Sequence, residues 1–227
     1  MSDRSSGDRV RVAAAALLAV LAVVAPAYGV LVLADVSAGE FRSSTTGSTT
    51  AASATTNGSA PAVANATVVV RAPDSVRPRL ERSLRESFAE RGFDVTVASE
   101  IPDDGSPVLV VAVDSWGARW NPATPSATVE WRTAFDANGH EDHLTAALAD
   151  EPIRFDSRNG SDVVVAGDYR LDDRGTGIVS RPAYDRRLAA VVGEETARRT
   201  LEAVRRETAA NGSTAAAVAE RRTRSGK

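Results

Sequence analysis

The segment His140-Glu141-Asp142-His143 is the one place in this sequence where metal-ligating residue types cluster. Two imidazoles three residues apart share one face of a helix and could grip a single ion, with Asp150 or Glu151 adding a carboxylate oxygen. On a strand the same two rings would point to opposite faces, and the segment would be a solvated turn. A metal reading therefore depends on local structure, which the stretch His140 to Asp150 leaves open between short helix and strand.

Other constellations are thinner. Asp168, Asp172 and Asp173 are calcium-ligand types, but the alternating Asp loop with its central glycine is missing, so an ordinary solvated turn is expected over Asp172–Gly177. Gly175-Thr176-Gly177 lacks the lysine and the strand-to-helix setting of a phosphate-binding loop. No Gly-x-Ser-x-Gly elbow occurs, and both histidines of the chain lie in one segment. No catalytic residue is assigned and no cofactor is called for.

The tryptophans offer contact chemistry instead. Trp131 falls on the apolar register of a strand and reads as core. Trp116 and Trp120 flank Arg119 in a stretch that continues through Pro122 and Pro125, read as a loop. Indole and guanidinium groups together favour ligand or partner contact, so Trp116, Arg119 and Trp120 form the candidate binding surface.

The elements that must carry these residues follow from hydropathy. Hydrophobic residues make up 43% of the 227 and charged residues 25%, a balance that excludes a wholly disordered or wholly membrane-embedded chain. Cysteine is absent, which rules out disulfides, thiolate metal sites and a lipidated N-terminal cysteine. The formal charge of −3 argues against nucleic acid as a partner. Lys227 is the only lysine among 27 basic side chains, so nearly all positive charge is arginine.

Residues 12–34 contain no charged side chain. As a helix at about 1.5 Å per residue this run spans roughly 34 Å, enough for a hydrocarbon core of about 30 Å. Arg4, Arg9 and Arg11 precede it, which keeps residues 1–11 in the cytoplasm and sends the remainder outside. A single-pass cell-membrane anchor in contact with the bilayer is the expectation. A cleaved signal and a secreted product are the alternative, because Ala25-Pro26-Ala27 and Val36-Ser37-Ala38 offer small residues at signal-peptidase spacing.

Residues 35–66 are rich in Ser, Thr and Ala and read as a disordered stalk. Candidate N-glycosylation sites stand at Asn57, Asn65, Asn159 and Asn211, each followed two residues later by Ser or Thr.

The folded region is expected over 67–208. A β-branched run from Thr67, a stripe of Val76, Leu80, Leu84 and Phe88, and alternation over Phe93–Val97 predict β-α-β. Val108–Val113 reads as a central strand covered on both faces. Ala127–Phe135 is a further strand, and a hairpin around Asn159-Gly160 precedes a closing helix over about 183–208. The implied class is α+β: a mainly antiparallel sheet of about five or six strands with two helices packed on one face. A disordered basic tail, 209–227, completes the chain.

Function follows only coarsely. The expectation is a membrane-anchored extracytoplasmic protein whose α+β domain is a non-catalytic binding or assembly module with an envelope protein partner. The alternative is a metal-dependent extracytoplasmic enzyme using the His140/His143 segment. Neither a ligand nor an oligomeric state is written in the sequence.

Overall fold

A computed structural model describes residues 35–54, 63–155 and 162–225, with side chains described as far as residue 210. The expected membrane segment 12–34 and the candidate sites Asn57 and Asn159 lie outside the described residues, as does the side chain of Asn211. Asn65 is exposed at the start of a strand. No helix among the described residues is long and apolar enough to cross a membrane.

Six strands make one mixed sheet. They are β1 (Ser37–Ala54), β2 (Asn65–Arg71), β3 (Asp94–Ala98), β4 (Val108–Arg119), β5 (Ser126–Asp136) and β6 (Asp162–Val179), in the order β1-β6-β5-β4-β2-β3. β2 runs parallel to both β3 and β4, whereas β4-β5, β5-β6 and β6-β1 are antiparallel. Three helices stand beside the sheet among the described residues: α1 (Arg77–Ala89), α2 (Glu141–Leu148) and α3 (Arg181–Ser225).

The α+β class follows from two apolar faces of unequal size. Val68, Val70, Leu109, Val111, Val129 and Trp131 point to the face where α1 and α3 pack. From α1 that layer receives Leu80, Leu84 and Phe88, the stripe that the four-residue spacing predicts. Alternate residues Val69, Val108, Val110 and Ala134 face the other way and meet Leu144 and Leu148 of α2. Val108–Val111 are all essentially inaccessible because helices cover both sides of β4, as its unbroken apolar run implies. Two helices thus lie on one face, and a short third helix lies on the other.

Three expectations are corrected. Residues 37–54 form β1, an 18-residue edge strand paired to β6 along its whole length, not a disordered stalk. Its small polar side chains bury little, but alternate residues contribute backbone hydrogen bonds to a ladder already templated by β6. Side-chain bonds add to it: Ser43 Oγ donates to Asp173, and Thr49 Oγ1 lies 2.9 Å from the Tyr169 hydroxyl. Phe41 supplies the apolar anchor, stacked on Tyr184 at 6.1 Å between centroids.

The Asp172–Gly177 stretch is not a turn, because β6 continues through it to Val179. Its polar residues alternate: Asp168, Arg170, Asp172 and Arg174 are exposed while Tyr169, Leu171 and Asp173 are buried. Polarity there marks one solvated face of a strand. Finally, the closing helix does not stop near residue 208 but extends through the tail to Ser225. The alanines from 215 to 219 are strong helix formers, and Asn211-Gly212 does not interrupt them.

Candidate functional site

His140 and His143 lie at the start of α2, so the helical alternative holds and three-residue spacing puts both rings on one side. Their position is fixed by the turn that leaves β5. Asp136 closes that strand in the middle of the sheet, and one of its oxygens, Oδ1, accepts the Asn138 backbone N–H at 2.7 Å. Gly139 follows at φ +69°, where an added Cβ would stand 2.4 Å from the Ser106 carbonyl oxygen, so only glycine completes this turn. His140 then takes the N-cap position of α2 without a side-chain capping bond, and exposed Glu141 and Asp142 in the first turn complement the helix dipole. At the far end, Arg132 reaches from β5 to the Leu148 carbonyl while holding Asp114 through two hydrogen bonds, which clamps α2 to the sheet.

Two aspartates meet the histidines. Asp136 is fully buried, and Asp162, the first residue of β6, is 7% exposed. His143 Nδ1 lies 2.7 Å from Asp136 Oδ2 and 3.2 Å from Asp162 Oδ2. His140 Nδ1 lies 3.2 Å from Asp162 Oδ2 and 3.6 Å from Asp136 Oδ1. One ligand atom from each of the four residues falls within 4.8 Å of all the others. The rings make an edge contact at 4.8 Å between centroids, and Phe155 packs edge-on against His143. Burial, and then the neighbouring charge of Asp136, raise the Asp162 pKa above the ordinary carboxylate value, against the opposing pull of the two histidines.

The oxygen ligands are therefore not those anticipated. Asp150 and Glu151 are exposed at the other end of α2 and stand outside the cluster. Asp136 opens the stretch Asp136-Ala137-Asn138-Gly139, which reads as a hairpin-type turn, and nothing near Asp162 in the sequence marks it as a ligand. The calcium-type trio does not converge either: Asp172 is exposed and bonded to Thr128 and Arg170, while Asp173 points to the opposite face toward Ser43 and Arg187.

The tryptophan residues divide. Trp131 is core, with its Nε1 donating to Thr196 Oγ1 at 3.0 Å. Trp116 is on β4 rather than in a loop, beyond a bulge at Val113/Ser115, and is partly buried. Trp120 follows the strand and donates Nε1–H to the Val179 carbonyl at 3.0 Å. Both line an open cleft of about 700 Å³ between the starts of α1 and α3, with Val76, Arg79, Arg181 and Asp185. Burial raises the Asp185 pKa, and Arg79 and Arg181 work against that rise. Arg119 is exposed and outside the lining.

No family model matches the chain, and no curated protein matches it. Among solved structures it is similar to a PelC dodecamer from Paraburkholderia phytofirmans, with 16% identity over 65% of this chain and 95% of that one, at a TM-score of 0.31. It is also similar to a minor lipoprotein from Acinetobacter baumannii, with 14% identity over 66% of this chain and 95% of that one, at a TM-score of 0.29. Likeness at this level assigns no function.

Proposed function

We propose that this chain is a single-pass, membrane-anchored extracytoplasmic protein whose α+β domain is a non-catalytic binding or assembly module of the cell envelope. The observation that carries the binding role is the cleft. Two indoles, two guanidinium groups and one carboxylate converge on about 700 Å³ of open space. Aromatic and arginine side chains of this kind dominate binding energy at contact surfaces. The membrane part rests on the uncharged run 12–34 and the arginines before it.

The test is fractionation and protease shaving of the full chain in its native host, combined with cross-linking from the cleft. Full-length protein in the membrane, with its domain cleaved from intact cells, supports the topology. A truncated product in the medium overturns the anchor, and complete protection overturns the outward orientation. One cross-linked envelope component, reduced at least about tenfold by Trp116→Ala, supports the cleft; an unchanged yield overturns it.

A further inference from the structure

We propose that Asp136, His140, His143 and Asp162 form a four-ligand site for a divalent transition metal of the zinc type, which staples α2 to the adjoining ends of β5 and β6. The site is separate from the Trp116–Trp120 cleft and does not depend on it.

The spacing comes first. A tetrahedral zinc ion bound through imidazole nitrogen and carboxylate oxygen at about 2.0–2.2 Å sets its ligand atoms about 3.3 Å apart. The distances of 3.2, 3.2 and 3.6 Å among His140 Nδ1, His143 Nδ1, Asp162 Oδ2 and Asp136 Oδ1 fit that edge length. His143 Nδ1 lies closer, at 2.7 Å, to the other Asp136 oxygen, Oδ2.

Tautomer chemistry gives an independent reason. His143 Nε2 lies 3.1 Å from the Arg154 carbonyl oxygen. A carbonyl only accepts, so Nε2 carries a proton, and Nδ1 meets two carboxylates either as a second N–H, bonded to Asp136 Oδ2 at 2.7 Å, or as a lone pair. Lone pairs facing one another in a buried site repel unless a cation stands between them. A ring N–H held by a backbone carbonyl is also the usual arrangement behind a metal-bound histidine.

Orphaned atoms point the same way. His140 Nδ1 and Asp162 Oδ1 are buried and make no hydrogen bond, although His140 Nδ1 is within 3.2 Å of the other Asp162 oxygen. The separation is right and the angle is wrong for a proton, whereas an ion placed among the ligands takes up the His140 Nδ1 lone pair, and Asp162 Oδ1 as well where that carboxylate chelates. Two carboxylates also balance the charge of a divalent ion.

The donor set selects the metal. Two imidazoles with two carboxylates suit zinc, cobalt or nickel, while calcium needs six to eight oxygens. All four positions come from the protein, as in sites that hold structure together. His140, with 41% of its side chain exposed, is on the solvent side and leaves a way in.

Zinc ion alone is the probe. The full chain, stripped with chelator and then dialysed against zinc, is expected to retain about one equivalent and to unfold at a higher temperature than the stripped chain. Cobalt in its place is expected to give the intense visible absorption of a tetrahedral site. His140→Ala, at the exposed corner, and Asp162→Asn are each expected to weaken zinc binding by about 100-fold or more, beyond what loss of a supporting hydrogen bond does. Circular dichroism verifies that each variant is folded, and His140→Ala keeps the comparison valid if Asp162→Asn is not. Failure of the stripped chain to retain zinc overturns the proposal and leaves a proton in the site. Retention undiminished in folded His140→Ala overturns it equally, because the ion is then bound elsewhere.

Discussion

Trp131 Nε1 donates a hydrogen bond of 3.0 Å to Thr196 Oγ1 across 65 residues of sequence, and both side chains are buried. This bond joins the middle of β5 to α3 at the centre of the main core layer. Replacing Thr196 by Val keeps the volume but leaves an indole N–H with no acceptor and no water. That loss costs about 1–3 kcal/mol. Urea unfolding of Thr196→Val should show a lower midpoint with an unchanged slope; an unchanged midpoint would mean that the indole finds another acceptor.

Arg187 of α3 ties the first half of the edge strand β1 to the core. Arg187 lies 4.1 Å over the Phe41 ring, donates to Ser43 Oγ at 2.8 Å and pairs with the fully buried carboxylate of Asp173 at 3.3 Å. Removing it leaves that carboxylate with the Ser43 hydroxyl but no cation, and frees the face of Phe41. Arg187→Ala should cost about 3 kcal/mol, the scale of a broken buried ion pair. Amide exchange should accelerate selectively over residues 37–54. Uniform protection there would show that the ladder to β6 holds β1 unaided.

How far the sequence foretold this structure depends on which force shaped each part. The core of α1, β2, β4 and β5 was readable because burial imposes periodicity, and Leu80, Leu84, Val108 and Val110 obey it. β1 was not, since a run of Ser, Thr and Ala looks the same solvated or laddered, and only the partner strand decides. β6 was obscured because Asp168, Arg170 and Asp172 resemble turn residues until their alternation with Tyr169, Leu171 and Asp173 is noticed. At the cluster, three-residue spacing marks His140 and His143, but the carboxylates just beyond them in sequence, Asp150 and Glu151, are not their partners. The missed signal was topological: Asp136 ends one strand and Asp162 begins its antiparallel neighbour, two residues before Val164, the residue opposite Asp136.

Acid should loosen the same edge through Glu195. Burial pushes the Glu195 pKa up, but hydrogen bonds from Arg198 at 2.6 Å and Arg199 at 3.0 Å outweigh it and hold the carboxyl below its ordinary range. Arg199 in turn donates to the carbonyls of Thr45 and Gly47 on β1. A lowered folded pKa stabilises the fold above the unfolded value of about 4.3, and that contribution disappears as pH falls through the folded value. For a partly exposed pair it is worth about 0.5–1 kcal/mol. Glu195→Gln should lose that amount at neutral pH and converge with the parent only once pH has fallen through the lowered folded value. A constant gap between the two at every pH would assign the effect to packing instead.

Gly193 sets how closely α3 approaches α1. An added Cβ would stand 2.5 Å from Ser83 Oγ and 3.0 Å from the Ser83 carbonyl carbon, and Ser83 is itself buried. Alanine is favoured over glycine within a helix by about 1 kcal/mol, so on propensity alone Gly193→Ala would stabilise. Overpacking at a tight helix contact costs about 1–3 kcal/mol and should win, because backbone as well as hydroxyl is in the way. Thermal unfolding of Gly193→Ala is expected at a lower temperature than the parent. Ser83→Ala in the same chain removes the nearest atom but leaves the backbone contact, so it should recover only part of the loss. Full recovery would place the whole clash on the hydroxyl, and a rise in unfolding temperature for Gly193→Ala alone would show that the helices separate at little cost.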